Sequence, residues 1–439
     1  MRPRATLLFD VSRLASRAGL AAPTGIDRVD LAYLQALAEQ PDFESIFERR
    51  LSVIDRFGLQ LLSPRAEEAL LRRLALGWPS TDAVSSAFEQ LRDWLQSPGQ
   101  NRPAPRLRAP GRDTEPPQRW LQRALMHPLG AHRLQRLLAA QPRTIYLNTS
   151  HGRLFQPAAA RWLQSSGASG VFFVHDLIPI THPQYNRPRE PARHAARLRT
   201  IARHARAVIV NSVATREALL AWWCERQLRQ PEVHVLPLGI GERFMQTPRH
   251  AVQAALPYFV AVGTLEPRKN HALLLDLWQR WLQQGERRIP RLLLIGRRGW
   301  QNQTLFERLD RDPLLAPHVA EVSGLADHEV AALLAGARAL LNPSFAEGYG
   351  LPLAEALALG TPALVSDVPA HREVGGSAAE YLAAADSGAW DLALRDYAAD
   401  LSPRRTRALE RAHAYRSPSW NAHFAVLFDL LRHLDRGAA

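Results

Sequence analysis

Short apolar runs of three to six residues recur along most of this 439-residue chain, and stretches with helical periodicity separate them. One series falls at 5–10, 144–148, 170–175, 207–211 and 233–236, and a second at 258–262, 291–295, 318–322, 339–341 and 363–365. A run that is apolar at nearly every position suits a strand covered on both faces. Strands that alternate with helices form parallel sheets with right-handed crossovers. The chain therefore reads as α/β, with two consecutive doubly wound halves joined near 238–256. Such halves hold ligands at the carboxyl ends of their strands.

The first apolar run leads through a glycine-containing stretch into an amphipathic helix pattern over 27–38. Residues 41–142 depart from the alternation. They carry helix-like pieces at 66–77, 85–96 and 118–140, and a Pro- and Arg-rich stretch at 101–118 whose lack of periodicity predicts a loop. A final amphipathic, basic helix is expected at about 418–435.

Charge is unevenly placed. The formal net charge is +13, with 55 basic side chains of which only Lys269 is lysine. Residues 1–100 and 251–439 each carry a net of −1, whereas 101–250 carry +15. That asymmetry predicts an anionic partner for one face. Within the basic block, residues 187–206 hold seven arginines, two histidines and one glutamate. Ala195, Leu198, Ile201 and Ala202 can share one face there, so the stretch reads as a helix drawn to an anionic membrane surface. A nucleic-acid-binding protein is the competing class that such charge suggests. No recognised nucleic-acid module accompanies it, and aromatics do not interleave with the basic residues.

Cys224 stands alone, so no intrachain disulfide can form and a reducing compartment is expected. The apolar run near the start is too short for a secretion signal, and no run reaches the roughly 18 residues of a spanning helix. The expectation is a cytoplasmic protein, peripheral on the inner face of the plasma membrane. No cluster of Cys, His and carboxylates has metal-ligand spacing, so no metal is expected. Asp310-Arg311-Asp312 copies an Asp-x-Asp metal pair but lies in a polar stretch before Pro313. No G-x-G-x-x-G follows a strand, which disfavours a nicotinamide enzyme.

The chemistry concentrates in residues 342–366, NPSFAEGYGLPLAEALALGTPALVS. A strand end leads into Glu347-Gly348-Tyr349-Gly350, then Pro352 near the start of a helix that stops at Gly360. Glycines before a helix N-terminus let backbone N–H groups approach an anion. Glu347 and Glu355, with seven residues between them, would repel phosphate and better suit sugar hydroxyls.

This stretch resembles the signature of retaining family 4 glycosyltransferases of the GT-B fold. Residues 263–270, Gly-Thr-Leu-Glu-Pro-Arg-Lys-Asn, resemble the family's donor-phosphate loop. Val322-Ser323-Gly324-Leu325 resembles its base-contacting strand end, and 366–369 with 372–376 its usual continuation. Residues 23–29, Pro-Thr-Gly-Ile-Asp-Arg-Val, and 174–179, Val-His-Asp-Leu-Ile-Pro, look like the bacterial cell-surface polysaccharide branch. Residues 41–142 match nothing in that family.

The resemblance implies a hexosyltransferase with two Rossmann-like domains, 1–242 on the acceptor side and 243–417 on the nucleotide-sugar side. A helix at 418–439 would pack back on the first. Arg268 and Lys269 would bind the donor diphosphate and stabilise the leaving group, and Glu347 would contact the transferred sugar. Glu355 would hold the ribose hydroxyls. Backbone N–H groups of Gly348, Tyr349, Gly350 and Leu351 would hold sugar and phosphate. Gly263, Ser323, Gly324 and Leu325 would line the donor site, and Gly25 would pass beneath the diphosphate. His175 and Asp176 would stand on the acceptor side, with His175 counted among the catalytic residues. The implied substrate is a nucleotide-diphosphate sugar, GDP-mannose foremost, used without a metal, and the acceptor a glycan or a lipid-diphosphate-linked oligosaccharide. Intact Glu347, Lys269 and Glu355 argue against an inactive GT-B scaffold.

Overall fold

The computed structural model describes residues 4–18, 23–39, 46–55, 58–77, 83–98, 102–108, 127–141, 143–246 and 251–437. Two seven-stranded sheets organise them. The first contains β1 (Ala5–Asp10), β2 (Phe47–Asp55), β3 (Gly58–Leu61), β5 (Thr144–Asn148), β6 (Ser169–Val174), β7 (Ala205–Val210) and β8 (Glu232–Val235), in the order β3-β2-β1-β5-β6-β7-β8. Only β2 and β3 run antiparallel. The second contains β4 (Arg106–Leu107) and β9–β14, at Tyr258–Val262, Arg291–Ile295, Val319–Val322, Leu340–Asn342, Ala363–Ser366 and Glu380–Leu382. Its order is β14-β13-β12-β9-β10-β11-β4, all parallel. Every residue of β1, β5, β10 and β13 is buried, because helices cover both faces.

The antiparallel pair β2–β3 and the short strands β4 and β14 have no counterpart in the apolar-run pattern. β2 begins Phe-Glu-Arg-Arg, a polar start that hides the buried half from Leu51 onward. β4 is two residues inside the stretch expected to be a loop. The rest of that loop beyond residue 108, and the first part of the helix expected over 118–140, lie outside the described residues.

Residues 83–98 and 102–108 come early in the chain yet attach to the second lobe. Ser323 N–H donates to the Leu107 carbonyl at 2.9 Å, and Glu321 N–H to that of Pro105 at 3.1 Å. Trp94 is fully buried, and the Arg291 guanidinium lies over its ring at 4.6 Å. Arg291 also donates to the Ser97 carbonyl at 2.9 Å. The chain thus crosses between the lobes within the insertion as well as at the joint after β8.

The last helix, Trp420–Gly437, lies on the first lobe. Tyr33 Oη sits 2.8 Å from His423 Nε2, and Arg143 pairs with Asp435 at 2.8 Å. No helix among the described residues is long and apolar enough to cross a membrane.

Candidate active site

Sheet order dictates where the site must form. In the second sheet β9 lies between β12 and β10, so chain direction reverses its spatial progress between β9 and β12. Ligands of such sheets bind in the crevice at this switch point, beyond the carboxyl ends of those two strands. The loop after β9 carries Arg268 and Lys269; the loop after β12 carries Ser344 and Glu347.

Gly263, at the end of β9, has φ 142°, a backbone state that side chains rarely adopt, and its Cα faces the Lys269 stem. Residues Pro267–Lys269 then form one turn of 3-10 helix, closed by Asn270 in the left-handed region. Phe345 N–H donates to the Arg268 carbonyl at 2.8 Å, which zips the two loops together.

Three groups converge on the buried Glu347 carboxylate. Arg268 Nη1 reaches Oε2 at 2.8 Å, Lys269 Nζ pairs with Oε1, and Ser344 Oγ lies 2.6 Å from Oε1. Arg268 also pairs with Glu266 at 2.5 Å. Burial pushes the Glu347 carboxyl up, but the two cations outweigh it and hold it well below the usual carboxylate range. Behind them His371 Nδ1–H donates to the Ser366 carbonyl at 2.8 Å, so Nε2 faces the Asn342 amide at 3.1 Å as acceptor.

The Glu347–Gly350 loop is pressed against the first lobe. A Cβ on Gly348 would stand 2.7 Å from both the Asp176 Cβ and the His175 carbonyl. Ser212 Oγ donates to the Gly348 carbonyl at 3.0 Å, and Tyr349 Oη to that of Leu238 at 3.0 Å. Gly350, with φ 103°, starts the helix Leu351–Ala358. Its first residue faces Gly25, the first residue of helix Gly25–Glu39, with a Cβ there 3.6 Å from Leu351 Cδ1. Two helix N-termini from different lobes therefore meet at one place, an arrangement suited to an anion.

His175 follows β6 and is buried. Its Nε2 lies 2.6 Å from the Thr149 carbonyl and its ring stacks on Phe173 at 4.4 Å. Burial lowers its pKa to about 3, so the ring is neutral. Asp176 accepts from Ile178 N–H at 3.0 Å; burial raises its carboxyl while Arg268 pulls it back. Ser323, Gly324 and Leu325 follow β11, two strands from β9. Glu355, on the helix after Gly350, is buried and accepts from Arg28 of the first lobe at 2.6 Å.

Sequence reasoning did not single out Arg28, Ser344, His371 or Glu373 as site residues. Arg28 and Glu373 lay within quoted motifs, but their partners come from the opposite lobe and leave no local trace. The Asp310 and Asp312 carboxylates are structural: Asp310 pairs with Arg298 at 2.6 Å and with Arg108, and Asp312 accepts from Leu314 N–H at 2.9 Å. Among the described residues no group of three or more His, Cys, Asp or Glu side chains forms a metal-binding cluster.

In helix Glu190–His204 the residues His194, Leu198, Ile201 and Ala202 pack into the first lobe. The face expected to meet lipid is therefore spent on the core. What remains outside is charge: Arg187, Arg189, Arg193, Arg199, Arg203 and Arg206 are exposed.

Two facing α/β lobes with this crevice constitute the GT-B fold. It is shared with sucrose-phosphate synthase of Thermosynechococcus elongatus, at TM-score 0.63 and 18% identity over 99% of this chain and 100% of that one. It is likewise shared with Anabaena HepE in complex with UDP, at TM-score 0.61 and 16% identity over 98% and 100%. Residues 246–395 match the family described as Glycosyl transferases group 1. Among curated relatives, the serotype-specific mannosyltransferase WbdA of Escherichia coli is 30% identical over 226 residues, 48% of this chain but 28% of its own length. The O-antigen chain mannosyltransferase B of Escherichia coli is 36% identical over 121 residues, 28% of this chain and 31% of that one. The chain thus matches about a third or less of these relatives' lengths.

Proposed function

We propose that this protein is a retaining hexosyltransferase. It moves mannose from GDP-mannose to a glycan or lipid-diphosphate-linked oligosaccharide during bacterial surface polysaccharide synthesis. The observation that carries this reading is the Arg268–Lys269–Glu347 cluster, set where the β9 and β12 loops meet at the switch point of the sheet and faced by the first lobe.

The two cations suit a diphosphate. Each charge-assisted contact of this kind contributes roughly 1.5–3 kcal/mol. Their larger effect falls on the transition state, where negative charge builds on the departing phosphate oxygen. In that step the bond from the anomeric carbon to the β-phosphate oxygen breaks. The acceptor oxygen bonds to the anomeric carbon on the same face, and its proton passes to the departing phosphate. His175, neutral and tied to the Thr149 carbonyl, orients substrate rather than taking that proton. Arg268 and Lys269 supply the positive charge, so the reaction proceeds without a metal. Glu355 holds the donor ribose, and the loop after β11 holds the base. Mannose as the donor sugar is supported by the relatives, several of which are named as mannosyltransferases. The exposed arginines of 187–206 support attachment to an anionic membrane by charge alone.

The test is transfer from GDP-mannose, with UDP-glucose as comparison, in buffer containing EDTA, and with the product's anomeric configuration read by NMR. The expected result is an α-mannosyl product. No turnover of any common nucleotide sugar, together with no binding of GDP or UDP, would overturn the reading.

A further inference from the structure

Arg28 reaches from the first lobe into the nucleotide half of the crevice. It stands one turn into helix Gly25–Glu39, and its guanidinium forks between two carboxylates of the other lobe. Nη1 donates to Glu355 Oε1 at 2.6 Å, and Nη2 pairs with Asp327. Phe244, in the connection between the lobes, lies 5.8 Å beneath the guanidinium.

Glu355 is only 3% exposed, whereas Asp327 is 37% exposed. Glu355 therefore depends on its partner far more than Asp327 does. The charged groups that face Glu355 are Arg28 and Asp327, and Asp327 works against its ionisation. Burial, eased by Arg28, leaves its carboxyl raised to about 7. Arg28 uses Oε1, which leaves Oε2 for a ligand. An ionised carboxylate accepts two hydroxyl donors; a protonated one must spend an oxygen as a donor.

We propose that Arg28 is the positioning residue for Glu355: reaching in from the opposite lobe, it aims that carboxylate at the donor ribose and favours its ionised form. The cation comes from the opposite lobe, so lobe closure strengthens nucleotide binding and nucleotide binding strengthens closure. This inference rests on Glu355 being the ribose-holding residue.

The experiment is calorimetric titration of GDP and of UDP into wild type, Arg28→Gln, Arg28→Lys and Glu355→Gln, from pH 6 to pH 9. For the nucleotide that binds wild type, affinity should fall as pH drops below about 7. Arg28→Gln should lose about fivefold at pH 7 for the first unit by which the Glu355 pKa rises and about tenfold for each further unit, and recover most of that loss by pH 9. Arg28→Lys should keep most of the wild-type affinity. Glu355→Gln should bind weakly with no such pH dependence. An Arg28→Gln deficit that is the same at every pH, or no deficit, overturns the inference. If Arg28→Gln does not fold, a flat wild-type profile across pH 7 overturns it instead. Glu355→Gln binding as tightly as wild type, or no binding of either nucleotide to wild type, overturns the underlying reading of Glu355 and of the donor site.

Discussion

Glu373 of the second lobe accepts the backbone N–H of Val213 in the first lobe at 2.7 Å, and that of Ala214 at 3.2 Å. These are the opening amides of helix Val213–Glu225, which its own helix cannot satisfy. Ser212 caps the next one, accepting from Thr215 N–H at 3.1 Å. The start of one helix is thus completed by both lobes, and the Glu347 loop lies beside it through the bond from Ser212 to the Gly348 carbonyl.

Glu373→Ala should therefore weaken the closed form while leaving each lobe folded. Loss of a capping carboxylate typically costs about 1 kcal/mol, roughly a fivefold change in an equilibrium. Small-angle scattering should show a larger radius of gyration for the variant, and the donor KM should rise. Identical scattering curves for variant and wild type would rule out this role.

Lys269→Ala should reduce kcat by about two to three orders of magnitude, the usual effect of deleting one group that stabilises developing charge. Lys269→Arg should not restore it. The side chain is 9% exposed and meets Glu347 as a compact ammonium, and a planar guanidinium does not share that shape. Steady-state transfer rates for the two variants check this; full activity in either contradicts it.

Gly348→Ala should cost activity through sterics alone. The added carbon would lie 2.7 Å from the His175 carbonyl and from Asp176 Cβ, and backbone cannot yield cheaply there. The loop must retreat, and misplacement by about 1 Å costs on the order of a hundredfold in rate. Thermal unfolding should change little, since the loop lies at the lobe interface. Wild-type kcat/KM in this variant would show that the lobes need not approach this closely.

Acid should destabilise the fold through buried histidines. Burial lowers the pKa of His175 and His271 to about 3 and of His423 to about 4, against an ordinary 6.5. Burial holds His423 neutral against the pull of the Pro237 carbonyl, which accepts from Nδ1–H at 2.9 Å, while Nε2 lies 2.8 Å from Tyr33 Oη. Below pH 6.5 the unfolded chain binds protons that the folded one refuses, so each histidine removes about 1.4 kcal/mol per pH unit down to its folded pKa. Glu355, raised to about 7 from 4.5, acts in the opposite sense between those values. Urea unfolding at pH 7, 6 and 5 should show His423→Gln with a shallower loss of stability than wild type. Equal slopes would mean that His423 is not buried in its neutral form.

Much of the fold was legible because a strand covered on both faces must be apolar along its whole length. The runs at 144–148, 258–262 and 291–295 coincide with β5, β9 and β10. β2 and β4 were not legible, since β2 opens with charged residues and β4 is two residues long. In the site, the Gly348–Gly350 turn, Glu347 and Lys269 stood out through spacing and rarity. His371 and Ser344, which touch Asn342 and Glu347, did not, since a histidine and a serine carry no signal until their neighbours are known.

By itself, the sequence determined the two series of strands and helices and the chemical character of their connecting loops. Those features depend on local periodicity and on which side chains follow one another. Only the tertiary structure decided that Lys269 and Arg268 share one carboxylate, that Arg28 answers Glu355 across 327 positions, and that Arg106 and Leu107 complete the edge of the far sheet. Pairings of that kind depend on how two lobes pack, and burial of charge makes each partner necessary to the other without marking either one in the chain.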